Sequence, residues 1–418
     1  MDSSRARKGS ALRDDTASRT ARATLRRAFW SYGFRPFFMC AAAWAIATVL
    51  VLLAAALGGA TWPNGALPLT RWHGHEMLFG FVAAAIAGFL LTAVPNWTGS
   101  KPVSGAALAA LVGLWLLGRA ALWPWLGLAG TPCALADAAF FPALALSLGV
   151  PLVRARNYRN LQFLMFLALL TAADLVFLAT WLGWLTPSLF DPLRFAANLV
   201  LLMIAVVGGR IVPLFTRNAL LHDGQQCEIT PTPLLDRASL AAIVAVIAAD
   251  AVLAADAKLV GALAAIAALL LALRLAHWQG YRTFRMPILW ILHAGYAWLV
   301  VALALKSAWF FAQPLWTANW LHALTAGAFG TMILGVMTRV ALGHTGRELV
   351  VAKPISVAYL LVIIGAALRV GLASAPPAYY VAGVLAAGAI WAAAFAVFLA
   401  VYASILIAPH ADEAARRA

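Results

Sequence analysis

Long apolar segments follow one another along almost the whole sequence, and they restrict what this chain can fold into. The runs span roughly 37–58, 74–96, 105–123, 133–153, 160–184, 192–216, 238–255, 258–277, 287–309, 318–342, 354–374 and 379–407. A helix needs about 20 apolar residues to cross the bilayer core, where the backbone must satisfy its own hydrogen bonds. With 64% hydrophobic and 11% charged residues, the chain cannot cover a water-soluble globule. We therefore predict an all-α polytopic membrane helix bundle of about twelve transmembrane helices, with the lipid bilayer as its partner.

The distribution of basic residues predicts the orientation of the bundle. Connections on one side carry ten lysines and arginines, whereas the opposite side has only Arg71, Lys258 and Lys306. Basic connections stay in the cytoplasm, so both termini are expected there. The net charge of +15 thus serves orientation, and no nucleic acid partner is expected. Three regions follow, namely a disordered basic cytoplasmic arm (1–30), a membrane domain (31–408) and a short cytoplasmic tail (409–418).

Histidines within or beside the apolar runs are the main candidates for a metal site, because imidazole in hydrocarbon is costly and usually functional. They are His73, His75, His293, His322 and His344. Neutral imidazole binds haem iron and copper, and bundle sites are built from facing helices. His73 and Met77, four residues apart, share a helix face that suits copper. The alternative that each ring only forms an interhelical hydrogen bond stays open.

A weak internal echo singles out two of these histidines. His75, Gly80, Thr98 and Gly99 recur at the same spacing as His322, Gly327, Thr345 and Gly346. Both segments run from the outer to the inner side in the predicted topology, so the echo places two imidazoles at equal height on parallel helices. We expect His75 and His322 to form a pair that binds haem. The glycines allow either a flat ligand or a neighbouring helix to approach closely.

Arginines inside or at the ends of the runs form a second group of candidates. They are Arg35, Arg119, Arg210, Arg339 and Arg369. The planar guanidinium stays charged and suits carboxylates, which include the propionates of haem. Snorkelling towards lipid headgroups is the alternative explanation. Asp174 is a lone carboxylate in the fifth run, and it either serves a proton path or pairs with an arginine.

Short motifs along the chain resemble those of the NnrS family. They are GFRPFF (33–38), WHGHEM (72–77), PNWTG (95–99), GGRIVPLFT (208–216), LHAGY (292–296), LHA (321–323), MTRV (337–340) and GHTGR (343–347). The resemblance covers roughly residues 31–408. It implies a multi-pass protein of the bacterial inner membrane that contains haem, expected as b-type, and copper. It also implies a role in the response to nitric oxide and nitrosative stress, with nitric oxide or a nitrosyl species as ligand.

Two other functions remain open at this point. A proton-coupled small-molecule transporter also favours about twelve helices. A membrane oxidoreductase that reacts with nitric oxide is the second, although the His-His and His-Pro-Glu-Val-Tyr sets of respiratory haem–copper reductases do not occur in the sequence. The sequence leaves open whether the protein is an enzyme, which residues are catalytic, and whether it forms a homo-oligomer.

Overall fold

The computed structural model describes residues 23–58, 61–63, 66–186, 190–252 and 257–412, and within these ranges the regular structure is entirely helical. The predicted all-α class is therefore confirmed. Residues 1–22 of the predicted arm and 413–418 of the predicted tail lie outside the described residues. Within the described part of the arm, residues 23–29 form a short helix.

Each predicted apolar run corresponds to one helix. The helices are α1 (Phe34–Ala56), α2 (Leu69–Thr98), α3 (Gly105–Ala121), α4 (Thr131–Arg154), α5 (Tyr158–Trp181), α6 (Pro192–His222), α7 (Pro233–Val252), α8 (Lys258–His277), α9 (Pro287–Ala312), α10 (Leu315–Gly343), α11 (Lys353–Ser374) and α12 (Pro377–Ile407). Among the described residues, ten are long and apolar enough to cross a membrane. The other two are α3, with 17 residues, and α7, which contains Asp236, Arg237 and Asp250. The chain is thus a multi-pass membrane protein.

Local sequence explains where several helices begin and end. Proline opens α6, α9 and α12, where its fixed φ and missing N–H suit the first turn. Asp191 caps α6, since its side chain accepts a hydrogen bond of 3.1 Å from the backbone N–H of Leu193. Gly99 ends α2 in the left-handed region with a φ of 66°, a conformation that glycine adopts without strain.

The first and last helices pack side by side, and α11 packs against α12. Arg35, at the start of α1, donates hydrogen bonds of 2.8 Å and 2.5 Å from Nη1 to the carbonyls of Leu406 and Ala408. These carbonyls belong to the last turn of α12 and the residue after it, which have no further intrahelical partners. The arginine therefore joins the beginning of the bundle to its end.

Helices α2 and α10 share an interruption that the sequence echo does not reveal by itself. Each contains a seven-residue π-helical segment, Glu76–Val82 in α2 and Ala323–Phe329 in α10, and each segment starts directly after an echoed histidine. The echo also holds at the other end of these helices. Thr98 and Thr345 donate from Oγ1 to the carbonyls four residues earlier, at 2.8 Å and 2.7 Å. The two helices are thus repeats of one structural unit.

Tryptophans from neighbouring helices donate hydrogen bonds to backbone carbonyls of both π segments. A π segment disrupts the regular α-helical hydrogen bonding and leaves carbonyls in need of other donors. Trp115 of α3 donates from its indole to the carbonyl of Gly80, and Trp391 of α12 donates to the carbonyl of Ala326, each at 3.1 Å. Helix α6 packs against both π segments. The repeated units thus meet around α6, and their histidines stand at the entrance to the π segments.

Candidate functional site

Two groups of polar side chains lie next to the π segment of α2, on different sides of the helix. The first, called the charge cluster here, consists of His75, Glu76, Arg119, Asp137 and Asp174, all of them almost completely buried. The second, called the histidine pair here, consists of His73 and His322 with Arg369 beside them. Buried ionisable groups in a membrane bundle are rare and usually functional. Both groups are therefore candidate sites.

His75 is held from all sides within the charge cluster. Its Nδ1 lies 3.2 Å from Oε1 of Glu76, and its Nε2 lies 2.9 Å from Oδ1 of Asp174. The rings of Phe79 and Phe177 stack on the imidazole with centroids 4.8 Å away in each case. Both ring nitrogens thus have carboxylate partners, and the aromatic rings exclude water from the imidazole.

Arg119 joins the remaining carboxylates of the cluster. Its Nη1 donates to Oε2 of Glu76 at 2.7 Å, and its Nη2 contacts Oδ1 of Asp137. Trp44 adds an indole donor to the same Glu76 oxygen at 2.8 Å. Asp137 also lies near the imidazole, with Oδ2 3.2 Å from Nε2 of His75. The cluster therefore connects helices α2, α3, α4 and α5.

The charges of the cluster do not balance. Glu76, Asp137 and Asp174 face one arginine and one histidine, so one negative charge remains even with a protonated imidazole. In a medium of low dielectric constant such a charge is costly. A bound proton or a divalent cation would neutralise it, and ligand atoms of His75, Asp137 and Asp174 lie within 4.8 Å of one another. The cluster can thus hold a proton or a metal ion.

The histidine pair lies on the repeated helices α2 and α10. Arg369 of α11 lies near both imidazoles, and His73 lies near His322. His73 also lies against the backbone of Thr48, whose hydroxyl is 3.2 Å from the sulfur of Met77. The predicted shared face of His73 and Met77 is therefore present, and Thr48 of α1 contacts both residues.

Two polar atoms in this pair have no hydrogen-bonding partner within the described part of the chain. They are Nδ1 of His73 and Nη1 of Arg369, and both are buried. Arg369 is otherwise fixed, since its side chain bonds Tyr380 and its backbone carbonyl accepts from Asn319 at 3.1 Å. An unsatisfied buried donor or acceptor carries a desolvation cost of about 1–3 kcal/mol. The arrangement therefore fits a ligand that binds an imidazole nitrogen and offers an acceptor to a guanidinium.

The other two predicted histidines lie elsewhere and do not join the pair. Nε2 of His293 in α9 is 2.9 Å from the hydroxyl of Thr216 in α6, and the backbone of Gly280 packs closely against the ring. His344 follows α10 and lies near the rings of Tyr32 and Phe34. Partial burial of the imidazole lowers the pKa of His344.

The five predicted arginines have different surroundings. Arg35 binds the end of α12, and Arg119 belongs to the charge cluster. Arg210 donates to Oδ1 of Asn160 at 2.8 Å, and Arg339 lies 3.8 Å from the ring centroid of Phe215. Arg369 lies beside His73 and His322, and Arg119 shares Glu76 and Asp137 with His75. The guanidinium of Arg119 is already bound to two carboxylates.

The structure does not bring His75 and His322 together, although the sequence echo predicts this pair. His322 has His73 as its histidine neighbour, whereas His75 faces the carboxylates of three helices. The sequence places both candidates on α2, but the internal echo selects His75, whereas the histidine that lies beside His322 is His73. Only the packing of α4 and α5 against α2 decides which imidazole meets Asp137 and Asp174.

Several buried charged residues were missed by the sequence argument. Asp137 was overlooked, and Lys306 was assigned to an outer connection. Lys306 in fact lies buried inside α9, with Nζ 2.8 Å from Oδ2 of Asp250 in α7. Asn198 donates to the same oxygen at 2.8 Å. A search for every acidic residue within an apolar run would have found Asp137 and Asp250.

Comparison with known proteins supports the resemblance suggested by the motifs. The model of the NnrS protein family matches residues 28–410, which is nearly the whole chain. The matched region includes all twelve helices, the charge cluster and the histidine pair. No curated protein matches the chain.

Proposed function

Because the chain belongs to the NnrS family, we propose that it is a bacterial inner-membrane protein that contains haem and copper and protects the cell from nitric oxide. Membership of this family suggests the role in the nitric oxide response. Nitric oxide partitions readily into lipid, so a metal centre between membrane helices would meet it there. A metal held there would supply an open coordination position for this ligand.

The histidine pair is the proposed metal site, and the observation that carries the proposal is the buried Nδ1 of His73, which has no hydrogen-bonding partner among the described residues. His73 and His322 come from facing repeats, as expected for a site built between helices. Met77 adds a thioether near His73, and two imidazoles with a thioether suit copper. Arg369 adds a guanidinium whose Nη1 has no partner among the described residues, and this group suits a haem propionate.

Four substitutions distinguish the two metals at this site, namely His73→Ala, His322→Ala, Met77→Leu and Arg369→Gln. Each purified protein is examined by its haem absorption spectrum and by its copper content. If haem binds between the histidines, haem is lost in His73→Ala, His322→Ala and Arg369→Gln but kept in Met77→Leu. If copper binds there, copper is lost in the two histidine variants and in Met77→Leu but kept in Arg369→Gln.

His222→Ala is the matched control, because His222 is exposed at the end of α6. It should keep both metals. Full haem and copper content in both His73→Ala and His322→Ala would refute the proposed site. The cellular role is tested by survival of cells exposed to a nitric oxide donor. Cells with either histidine variant should be as sensitive as cells that lack the protein, whereas His222→Ala should protect fully.

We further propose that all twelve helices cross the membrane and that both termini are cytoplasmic. Helix α3 has only 17 residues. We expect it to cross nevertheless, so that the connection between α3 and α4, which contains exposed Leu128, lies on the side opposite the cytoplasm. Cysteines are introduced one at a time, as Lys101→Cys and Leu128→Cys, in a protein without other cysteines. A membrane-impermeant maleimide should label Leu128→Cys in intact cells and Lys101→Cys only after permeabilisation. The reverse pattern would overturn the topology.

A proton-coupled transporter is the second candidate, and the charge cluster is the observation that favours it. Three buried carboxylates beside one arginine and one histidine can take up and release a proton, as groups in a proton path must do. Protein without metal, reconstituted into liposomes, would then move protons together with a small solute. Asp174→Asn should abolish this movement. Proton flux that is the same with and without the protein would exclude this function.

A further inference from the structure

A cavity of about 490 Å³ opens at the end of the bundle where α5 begins and α8 ends. Its walls come from α5, α6, α7, α8 and the connection before α7. Four arginines line it, Arg159, Arg210, Arg217 and Arg274, together with a single carboxylate, Asp236. The cavity is therefore strongly positive, and it is separate from both the charge cluster and the histidine pair.

Among the residues that the structure describes, only one of these arginines has an ionic partner. Arg274 binds Asp236, with Nε 2.5 Å from Oδ1. Arg210 donates to the neutral amide oxygen of Asn160, and Arg159 acts on it as a nearby like charge. Neither Arg159 nor Arg217 forms an ion pair with any residue that the structure describes. Three positive charges thus converge on one space without a carboxylate to balance them.

The floor of the cavity is rigid. Nη1 of Arg274 donates to the carbonyl of Ala205 at 2.9 Å and to the hydroxyl of Tyr296 at 3.0 Å. Gly209 lets this buried guanidinium lie against the backbone of α6, since a Cβ atom there would overlap it. The cation is therefore fixed by α6, α7 and α9 before any ligand arrives. A preformed positive site of this kind binds anions without a large cost of reorganisation.

We propose that this cavity binds an anion with several oxygen atoms, either the phosphate of a lipid headgroup or a free oxyanion such as phosphate. Guanidinium groups form paired hydrogen bonds with phosphate oxygens, and repulsion between Arg159 and Arg210 is relieved when an anion lies between them. The cavity opens where basic residues accumulate, at the level where headgroups of anionic lipids and soluble phosphate are both accessible. Thr230 lies on the wall of the cavity, and its hydroxyl is 3.3 Å from Nε2 of His277.

Binding is measured on the full-length protein in a non-ionic detergent with three probes. They are inorganic phosphate, dioctanoylphosphatidylglycerol and dioctanoylglycerol, which has the same chains without a phosphate. Saturable binding is followed by calorimetry for phosphate and by native mass spectrometry for the lipids. We expect phosphate, phosphatidylglycerol or both to bind, and dioctanoylglycerol not to bind. Binding of phosphate identifies a free oxyanion as the ligand, and binding of phosphatidylglycerol alone identifies a lipid.

Arg210→Gln and Arg159→Gln should each weaken this binding about tenfold, because each removes one charge-assisted hydrogen bond. Arg210→Lys should restore part of it. Arg285→Gln is the control, since Arg285 is exposed near the start of α9 and does not line the cavity. If Arg210→Gln fails to fold, the exposed residues Arg159 and Arg217 still allow the test through Arg159→Gln and Arg217→Gln. Absence of saturable binding, or an equal loss in Arg285→Gln, would overturn the proposal.

Discussion

The Nε2 atom of His75 in α2 lies 2.9 Å from Oδ1 of Asp174 in α5, although 99 positions separate the two residues in the chain. The opposite ring nitrogen lies near Glu76, so the imidazole is fixed by carboxylates on both sides. This relationship separates the roles of two neighbouring histidines. His75 connects helices through ionic contacts, and His73 keeps a buried ring nitrogen that has no partner in the described part of the chain.

Arg119→Gln should lower the free energy of unfolding by about 3–5 kcal/mol, because it leaves buried Glu76 and Asp137 without their cation. Asp174→Asn should cost less, since asparagine keeps an acceptor for His75 and removes the surplus negative charge. Both values are measured by denaturant unfolding of the purified protein in detergent. Arg285→Gln, at an exposed position, should change stability by less than about 0.5 kcal/mol. A larger loss in Asp174→Asn than in Arg119→Gln would contradict this charge argument.

Gly80→Ala and Gly327→Ala should each destabilise the protein by about 1–3 kcal/mol through overpacking. A Cβ atom at Gly80 would overlap the ring of Trp44, and one at Gly327 would lie 2.6 Å from the ring of Trp298. Thermal unfolding followed by circular dichroism measures the loss. Gly113→Ala is the control, because no atom lies within 4 Å of the added Cβ atom and alanine favours the helix. If Gly80→Ala and Gly327→Ala are as stable as Gly113→Ala, the π segments accommodate the added Cβ atom and the overpacking argument is wrong.

Lys306 and Asp250 should show strong energetic coupling in a double-mutant cycle. Asp250→Asn should cost about 3–5 kcal/mol, because it leaves buried Lys306 without its carboxylate at 2.8 Å. Lys306→Met should cost less, because Asp250 keeps Arg194, whose Nε lies 3.5 Å from Oδ2. The double variant should cost less than the sum of the single variants. Denaturant unfolding of the four proteins gives the coupling energy. Additive effects would mean that the two charges do not interact.

Arg35→Gln should loosen the end of α12 without unfolding the bundle. Each hydrogen bond from a charged donor contributes about 1.5–3 kcal/mol, and Arg35 donates two of them to the carbonyls of Leu406 and Ala408. Hydrogen exchange of peptides covering residues 400–412 should become faster, while exchange in α6 should not change. Arg26→Gln, at an exposed position before α1, is the control and should leave both regions unchanged. Unchanged exchange at 400–412 in Arg35→Gln would show that other contacts hold this end.

The sequence alone determined the helical class, the positions of the twelve helices and the family. These properties depend on local composition, since the length of an apolar run and the requirements of lipid apply to each segment separately. The shared face of His73 and Met77 was also predictable, because it follows from spacing within one helix.

Tertiary structure decided how the candidate residues are combined. The assignment of His75 to the charge cluster depends on Asp137 and Asp174, which reach it from α4 and α5. The π segments depend in turn on indole donors from α3 and α12. Contacts of this kind arise from how whole helices pack against one another, and that packing is set by many side chains at once. A pattern read along a single segment therefore cannot specify them.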